Sequence, residues 1–140
     1  MPPLKIVLDT NVYIQSLMRP GSFLDQLIRR AVLTGLVSAY TSPEILLELQ
    51  HKVEDKFGFT PKESLRLAAL CRTMAKVVEP TRRIKIVSRD PDDNKILECA
   101  LEARVGIIIT ADRDLLQLKE YEGIKMVHPT MLKYIFPNLT

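Results

Sequence analysis

Apolar residues in this chain come in two rhythms that alternate along its length. Short apolar runs at Leu4–Leu8, Leu36–Tyr40, Ile84–Val87, Gly106–Thr110 and Ile124–Val127 read as strands. In the first of them, Ile6, Val7 and Leu8 form a mostly β-branched run with no polar alternation. Such a run reads as a strand buried on both faces. Between the runs, apolar residues recur at helical spacing. Helices alternating with buried strands predict βαβ units and an α/β fold around a parallel sheet of about five strands.

The helical segments carry their own punctuation. Val12–Leu17 forms a short helix that breaks before Pro20-Gly21. Ser22–Leu33 follows, with Phe23, Leu24, Leu27, Ile28 and Ala31 on one face. Ser42 caps a third helix with Pro43 at its first position. It runs to about Phe57 on a buried stripe of Ile45, Leu49 and Val53, and Gly58 stops it. Thr60-Pro61-Lys62-Glu63 is a capping box. The helix behind it buries Leu67, Leu70, Cys71, Met74 and Val78, and pairs with its predecessor as an αα-hairpin. Asp90 opens a helix with core positions Ile96, Cys99, Ala100 and Ala103. A short helix runs through Leu118, and a last one spans about Thr130 to Phe136.

Composition narrows the class. With 140 residues, 46% hydrophobic and 26% charged, the chain fits one globular domain over 1–140 rather than two. No apolar run reaches the length of a membrane span. Asp9 interrupts the only apolar stretch near the N-terminus, so a signal-peptide pattern is absent and a cytoplasmic location is the expectation. Cys71 and Cys99 fall on apolar helix faces and read as buried thiols, because no Cys/His cluster has zinc spacing. The net charge of +3 permits a nucleic-acid partner without selecting one.

The candidate chemistry is carboxylate. Asp9 and Asp112 each stand just past a buried strand. In open α/β sheets that carboxyl edge is where ligands bind. A single such Asp is most often a helix cap; two on neighbouring strands would meet at one point. Asp93 is at the third position of its helix if Asp90 is the cap. It then lies three residues before Ile96, on the buried stripe. An acid aimed at the core is costly unless paired or metal-bound. Glu48 lies beside the apolar stripe of the third helix, with Lys52 one turn on. Spacing leaves open whether it faces the site or forms an exposed helical ion pair.

Four carboxylates without matching cations point to a divalent ion, and Mg²⁺ or Mn²⁺ prefers oxygen ligands. Paired ions can activate water for phosphodiester hydrolysis. Thr10, Asn11 and Thr110 can hydrogen-bond metal waters or phosphate, although strand-end turns use the same residues. Arg82, Arg83, Lys85 and Arg89 form a basic cluster that can follow a phosphate backbone, with a solvated loop as the commoner reading. Arg113 adds a cation beside Asp112. The five glycines are isolated, so no phosphate-binding loop exists. His51 and His128 lack an obvious Ser or Cys partner.

These residues resemble a PIN-domain protein. The similarity runs through Val7-Leu8-Asp9-Thr10-Asn11-Val12, Ser42-Pro43-Glu44-Ile45 with Glu48-Leu49, Arg89-Asp90-Pro91-Asp92-Asp93-Asn94, and Thr110-Ala111-Asp112-Arg113-Asp114-Leu115-Leu116. It is nearest to the branch identified as toxins of toxin–antitoxin systems, related to VapC-type ribonucleases. The resemblance implies a three-layer α/β/α domain and an Mg²⁺- or Mn²⁺-dependent ribonuclease. Asp9, Glu48, Asp93 and Asp112 match its four acids. Asp114 is an accessory, and Asp92 competes with Asp93 for the third role. It also implies single-stranded RNA as substrate, a small cognate antitoxin as partner, and a homodimer.

Two other readings compete. One is a PIN-like module that binds RNA or protein without cutting. The other is a phosphatase of the haloacid-dehalogenase type, whose Asp-x-Asp pattern is broken here by Asn11.

Overall fold

The apolar run at the N-terminus becomes β1 (Leu4–Leu8), a central strand of the sheet. The structure is a computed structural model that describes residues 2–85 and 91–139. Then come α1 (Thr10–Met18), α2 (Phe23–Leu33), β2 (Val37–Thr41), α3 (Pro43–Phe57), α4 (Pro61–Met74) and β3 (Ala75–Val77). The second half holds α5 (Pro91–Ala103), β4 (Ile107–Ile109), α6 (Arg113–Leu118), β5 (Glu120–Tyr121), β6 (Ile124–Val127) and α7 (Leu132–Ile135). The strand order is β3-β2-β1-β4-β6-β5, with every pair parallel except β5 with β6.

Alternate residues of β1 serve opposite layers, as the pleat requires. Ile6 and Leu8 pack with α1, α2, α3 and α4, in a core that includes Tyr13, Leu27, Leu49 and Cys71. Val7 and Ile108 pack with α5 and α6, against Ile96, Leu97, Ala100 and Leu115. The sheet is thus covered on both sides, which is why Ile6–Leu8 and Ile107–Ile109 show no polar alternation.

The expected caps are present. The Ser42 hydroxyl accepts the Ile45 N–H, and Thr60 and Glu63 exchange the two bonds of a capping box. Gly58 ends α3 at φ 67°, a left-handed conformation that a side chain would oppose.

Three expectations change. Helix α4 stops at Met74, and Ala75–Val77 forms the sheet edge where a helix through Val78 was expected. Pairing with β2 overrides the local helical pattern there, and the Val78 N–H donates to the Thr41 carbonyl at 2.9 Å. Leu70 is 48% exposed, because the face toward the core follows Ser64, Leu67, Ala68 and Cys71. The expected strand at Ile84–Val87 is absent at Ile84 and Lys85, and its other residues lie outside the described ones, as do Arg89 and the Asp90 cap. Ile84 is buried, but its N–H donates to Glu98 Oε2 at 2.9 Å and not to a strand.

Asp25 ties the turn between α1 and α2. Its carboxylate accepts the Gly21 N–H at 2.8 Å, the Ser16 hydroxyl at 3.2 Å and Arg29 Nε at 2.8 Å. Burial alone would raise this carboxyl, but the Gly21 N–H, Arg29 and Ser16 outweigh it and hold the group below the ordinary range. A lowered folded pKa means stability that is present above the unfolded value and is lost as pH falls through the folded one. Asp25→Ala should therefore cost about 1.5–3 kcal/mol at neutral pH, the worth of hydrogen bonds to a charged group. Urea melts read this directly, and the gap from wild type should narrow in acid.

Candidate active site

Parallel pairing of β1 with β4 sets Leu8 opposite Ile109. The next residues, Asp9 and Thr110, leave the sheet together at its carboxyl edge. The Asp9 N–H still donates to the Ile109 carbonyl at 2.9 Å. Asp9 stands at the N-cap of α1, yet its side chain makes no cap bond. Its Oδ2 instead accepts the buried Thr110 hydroxyl at 2.7 Å. The Thr110 oxygen in turn accepts the Asp112 N–H at 3.0 Å. One hydroxyl thus connects the two strand-end aspartates.

Asp112 is itself a cap. Its Oδ1 accepts the N–H groups of Asp114 and Leu115 at 2.8 and 3.2 Å. That leaves Oδ2 for another partner. Carboxylate oxygens of Asp93, Asp112 and Asp114 lie within 4.8 Å of one another. Asp93 is buried at the start of α5, as its place on the stripe requires. Its neighbour Asp92 is not in that group; its side chain is 40% exposed and pairs with Lys95 Nζ at 2.9 Å. Three oxygen donors at such range suit a hard divalent cation. Asp114, expected as an accessory, lies beside Asp93 and Asp112, and the Asp-x-Asp spacing of 112 and 114 was the available signal.

Glu48 is buried on α3, and both of its oxygens are engaged. The Thr10 hydroxyl donates to Oε2 at 3.0 Å, and Lys52 Nζ pairs with Oε1 at 2.9 Å. Lys52 also reaches Asn11 Oδ1 at 3.4 Å. The two open readings of Glu48 combine: it faces inward and it is ion-paired. The expectation of acids without cations fails at this residue, because the helical i, i+4 partner folds over the carboxylate. Lys52, one turn on in the sequence, is the partner of that ion pair, and the pair is turned inward instead of lying exposed.

Electrostatics are unfavourable to an ionised Asp9. Burial raises its carboxyl above the ordinary value, and the Glu48 charge adds to the rise, while Thr110 and Lys52 oppose it. Burial also pushes the Cys71 and Cys99 thiols up to about 12, which makes them core residues and poor nucleophiles.

The expected basic cluster is largely committed to other carboxylates. Arg82 makes a two-bond pair with Glu122 at 3.0 and 2.9 Å. Arg83 pairs with Glu98 at 3.2 Å and approaches Glu44 at 3.7 Å. Lys85 and Arg113 are exposed, Arg113 at the first residue of α6.

A three-layer α/β domain with buried acids gathered at the carboxyl edge of its sheet belongs to the class of site that handles cations and charged substrates. The chain is a member of the PIN-domain family, whose profile matches residues 5–114. It is 32% identical over 146 residues to Uncharacterized protein MJ1680 of Methanocaldococcus jannaschii, covering 94% of this chain and 90% of that protein. Its fold is similar to that in VapBC-1 from nontypeable Haemophilus influenzae, with TM-score 0.62, 19% identity, and 91% of this chain and 99% of that chain covered. The PIN domain endonuclease Utp24 is similar at TM-score 0.56 and 19% identity, over 91% of this chain and 86% of that one. At such identity these two likenesses speak for the fold. Among the described residues no helix is long and apolar enough to cross a membrane.

The raised Asp9 carboxyl has a testable sign. A raised folded pKa gives stability that is greatest below the unfolded value and is lost as pH rises through the folded one. Ionised Asp9 is therefore a net cost at neutral pH without a metal. Asn keeps an acceptor for the Thr110 hydroxyl and removes the charge. In EDTA at pH 7, Asp9→Asn should melt higher by about 2–5 °C, the shift that roughly 1 kcal/mol gives in a domain of this size. The advantage should vanish near pH 3, and a lower melting temperature at pH 7 would contradict the account.

Proposed function

We propose that this protein is an Mg²⁺- or Mn²⁺-dependent endoribonuclease that hydrolyses phosphodiester bonds in single-stranded RNA. We further propose that it acts as the toxin of a toxin–antitoxin pair in the cytoplasm, as a homodimer. The observation that carries the first reading is the approach of Asp93, Asp112 and Asp114 at the carboxyl edge, linked through Thr110 to Asp9. Family membership supports nuclease chemistry, because one structural relative is a PIN domain endonuclease. Likeness to a VapBC structure supports the pairing with an antitoxin.

The roles of the chain's own groups follow from their contacts. Asp93, Asp112 and Asp114 would hold the ion, with Asp112 kept in place by the two N–H groups on its Oδ1. A divalent ion bound there supplies an acidified water and charge neutralisation at a phosphate oxygen. Asp9 is held by Thr110 with its carboxyl raised, which suits it to receive a proton near the reacting water. Glu48 orients Thr10 at the start of α1. Exposed Arg113, next to Asp112, is available to an RNA phosphate, as is Lys85 further out.

Asp112→Asn tests this reading cleanly. Asn is as good an N-cap as Asp, so α6 should persist. The purified variant should lose Mn²⁺-dependent cleavage of single-stranded RNA while its circular dichroism is unchanged. Full activity in the variant, or wild-type activity in excess EDTA, would refute the metal mechanism. Wild-type protein that binds RNA in Mn²⁺ and leaves it intact would favour a non-cutting module.

A further inference from the structure

Glu48 and Lys52 have the spacing of an ordinary helical ion pair, but they do not sit as one. The Glu48 side chain is 7% exposed and that of Lys52 only 21%. Surface pairs of this spacing span one helix, whereas Lys52 also reaches Asn11 on α1. Its charge acts in addition on Asp9, where it opposes the effects of burial and of Glu48. One ammonium therefore serves at least three groups, on two elements.

The acids of the edge divide accordingly. Asp93, Asp112 and Asp114 share a point on the side of α5 and α6. Glu48 and Asp9 form the other side, and there the Glu48 oxygens are already engaged by Lys52 and Thr10. A divalent ion entering that side would have to displace Lys52 from Oε1 and endure repulsion from it at short range. Lysine is a compact point charge on a flexible stem, suited to stand where a small cation would.

We propose that Lys52 is a positioning residue that takes the place of a second metal ion, so that each chain binds one divalent ion, at Asp93, Asp112 and Asp114. This rests on the metal reading of those three acids. Lys52 then sets the ion count and lets Glu48 and Asp9 stand near one another despite their like charge. A merely structural ion pair would leave the ion count unmoved.

Mn²⁺ binding to the full chain tests this, with calorimetry and paramagnetic resonance counting bound ions. Wild type should take up one Mn²⁺ per chain. Lys52→Met should take up two, Lys52→Arg one, and Lys52→Met combined with Glu48→Gln should return to one. Two ions on wild type, or one on folded Lys52→Met, would overturn the role of Lys52 and leave the metal site standing. A wild-type count of two overturns the inference even if Lys52→Met folds poorly. No Mn²⁺ on wild type would instead defeat the metal reading, and this inference with it.

Discussion

Adjacency of β1 and β4 in parallel register is the constraint on which the site depends. Residues far apart in sequence, Asp9 and Thr110, exit the sheet side by side because Leu8 lies opposite Ile109. A shift of one residue would turn Thr110 away from Asp9 and move every β4 side chain to the other layer. The register is held by burial on both faces: Val7, Leu8, Ile108 and Ile109 are all almost fully buried. The polar edge is thus positioned by apolar packing beneath it.

Buried charge in this domain is handled in two distinct ways. Asp25 and Glu98 are each surrounded by donors that come from a turn or loop to be anchored. Asp25 gathers Gly21, Ser16 and Arg29, and Glu98 gathers the Ile84 N–H and Arg83. Such acids hold the chain in place, since removing one partner leaves a charge uncompensated. The acids at the carboxyl edge are different. They crowd one another, and at Asp9 the desolvation and the Glu48 charge outweigh the bonds it receives. Conflict of this kind costs stability and clusters at functional sites.

Much of this was legible in the chain. Buried β-branched runs, Ser42, Gly58 and the Thr60–Glu63 box announced the α/β order and several element ends, because each rests on local sterics or a local hydrogen bond. Asp9, Asp93 and Asp112 were legible as candidates from their places at strand ends and on the helix stripe. The edge strand at Ala75–Val77 was not, since its local pattern continues the helix and only pairing with β2 changes it. The basic cluster was misleading for a similar reason: Glu122 and Glu98, distant in sequence, claim Arg82 and Arg83.

Periodicity, caps and strand-end acids were determined by the sequence, because they follow from forces that act within a few residues. Partnership among the charges was decided by tertiary structure alone. Whether Glu48 faced water or the site, how Lys52 lies over it, and whether Asp92 or Asp93 lies beside Asp112 all depended on how α3 and α5 lie against the sheet edge. Charges interact over distances set by packing and through a medium set by burial. Neither quantity exists until the layers have closed.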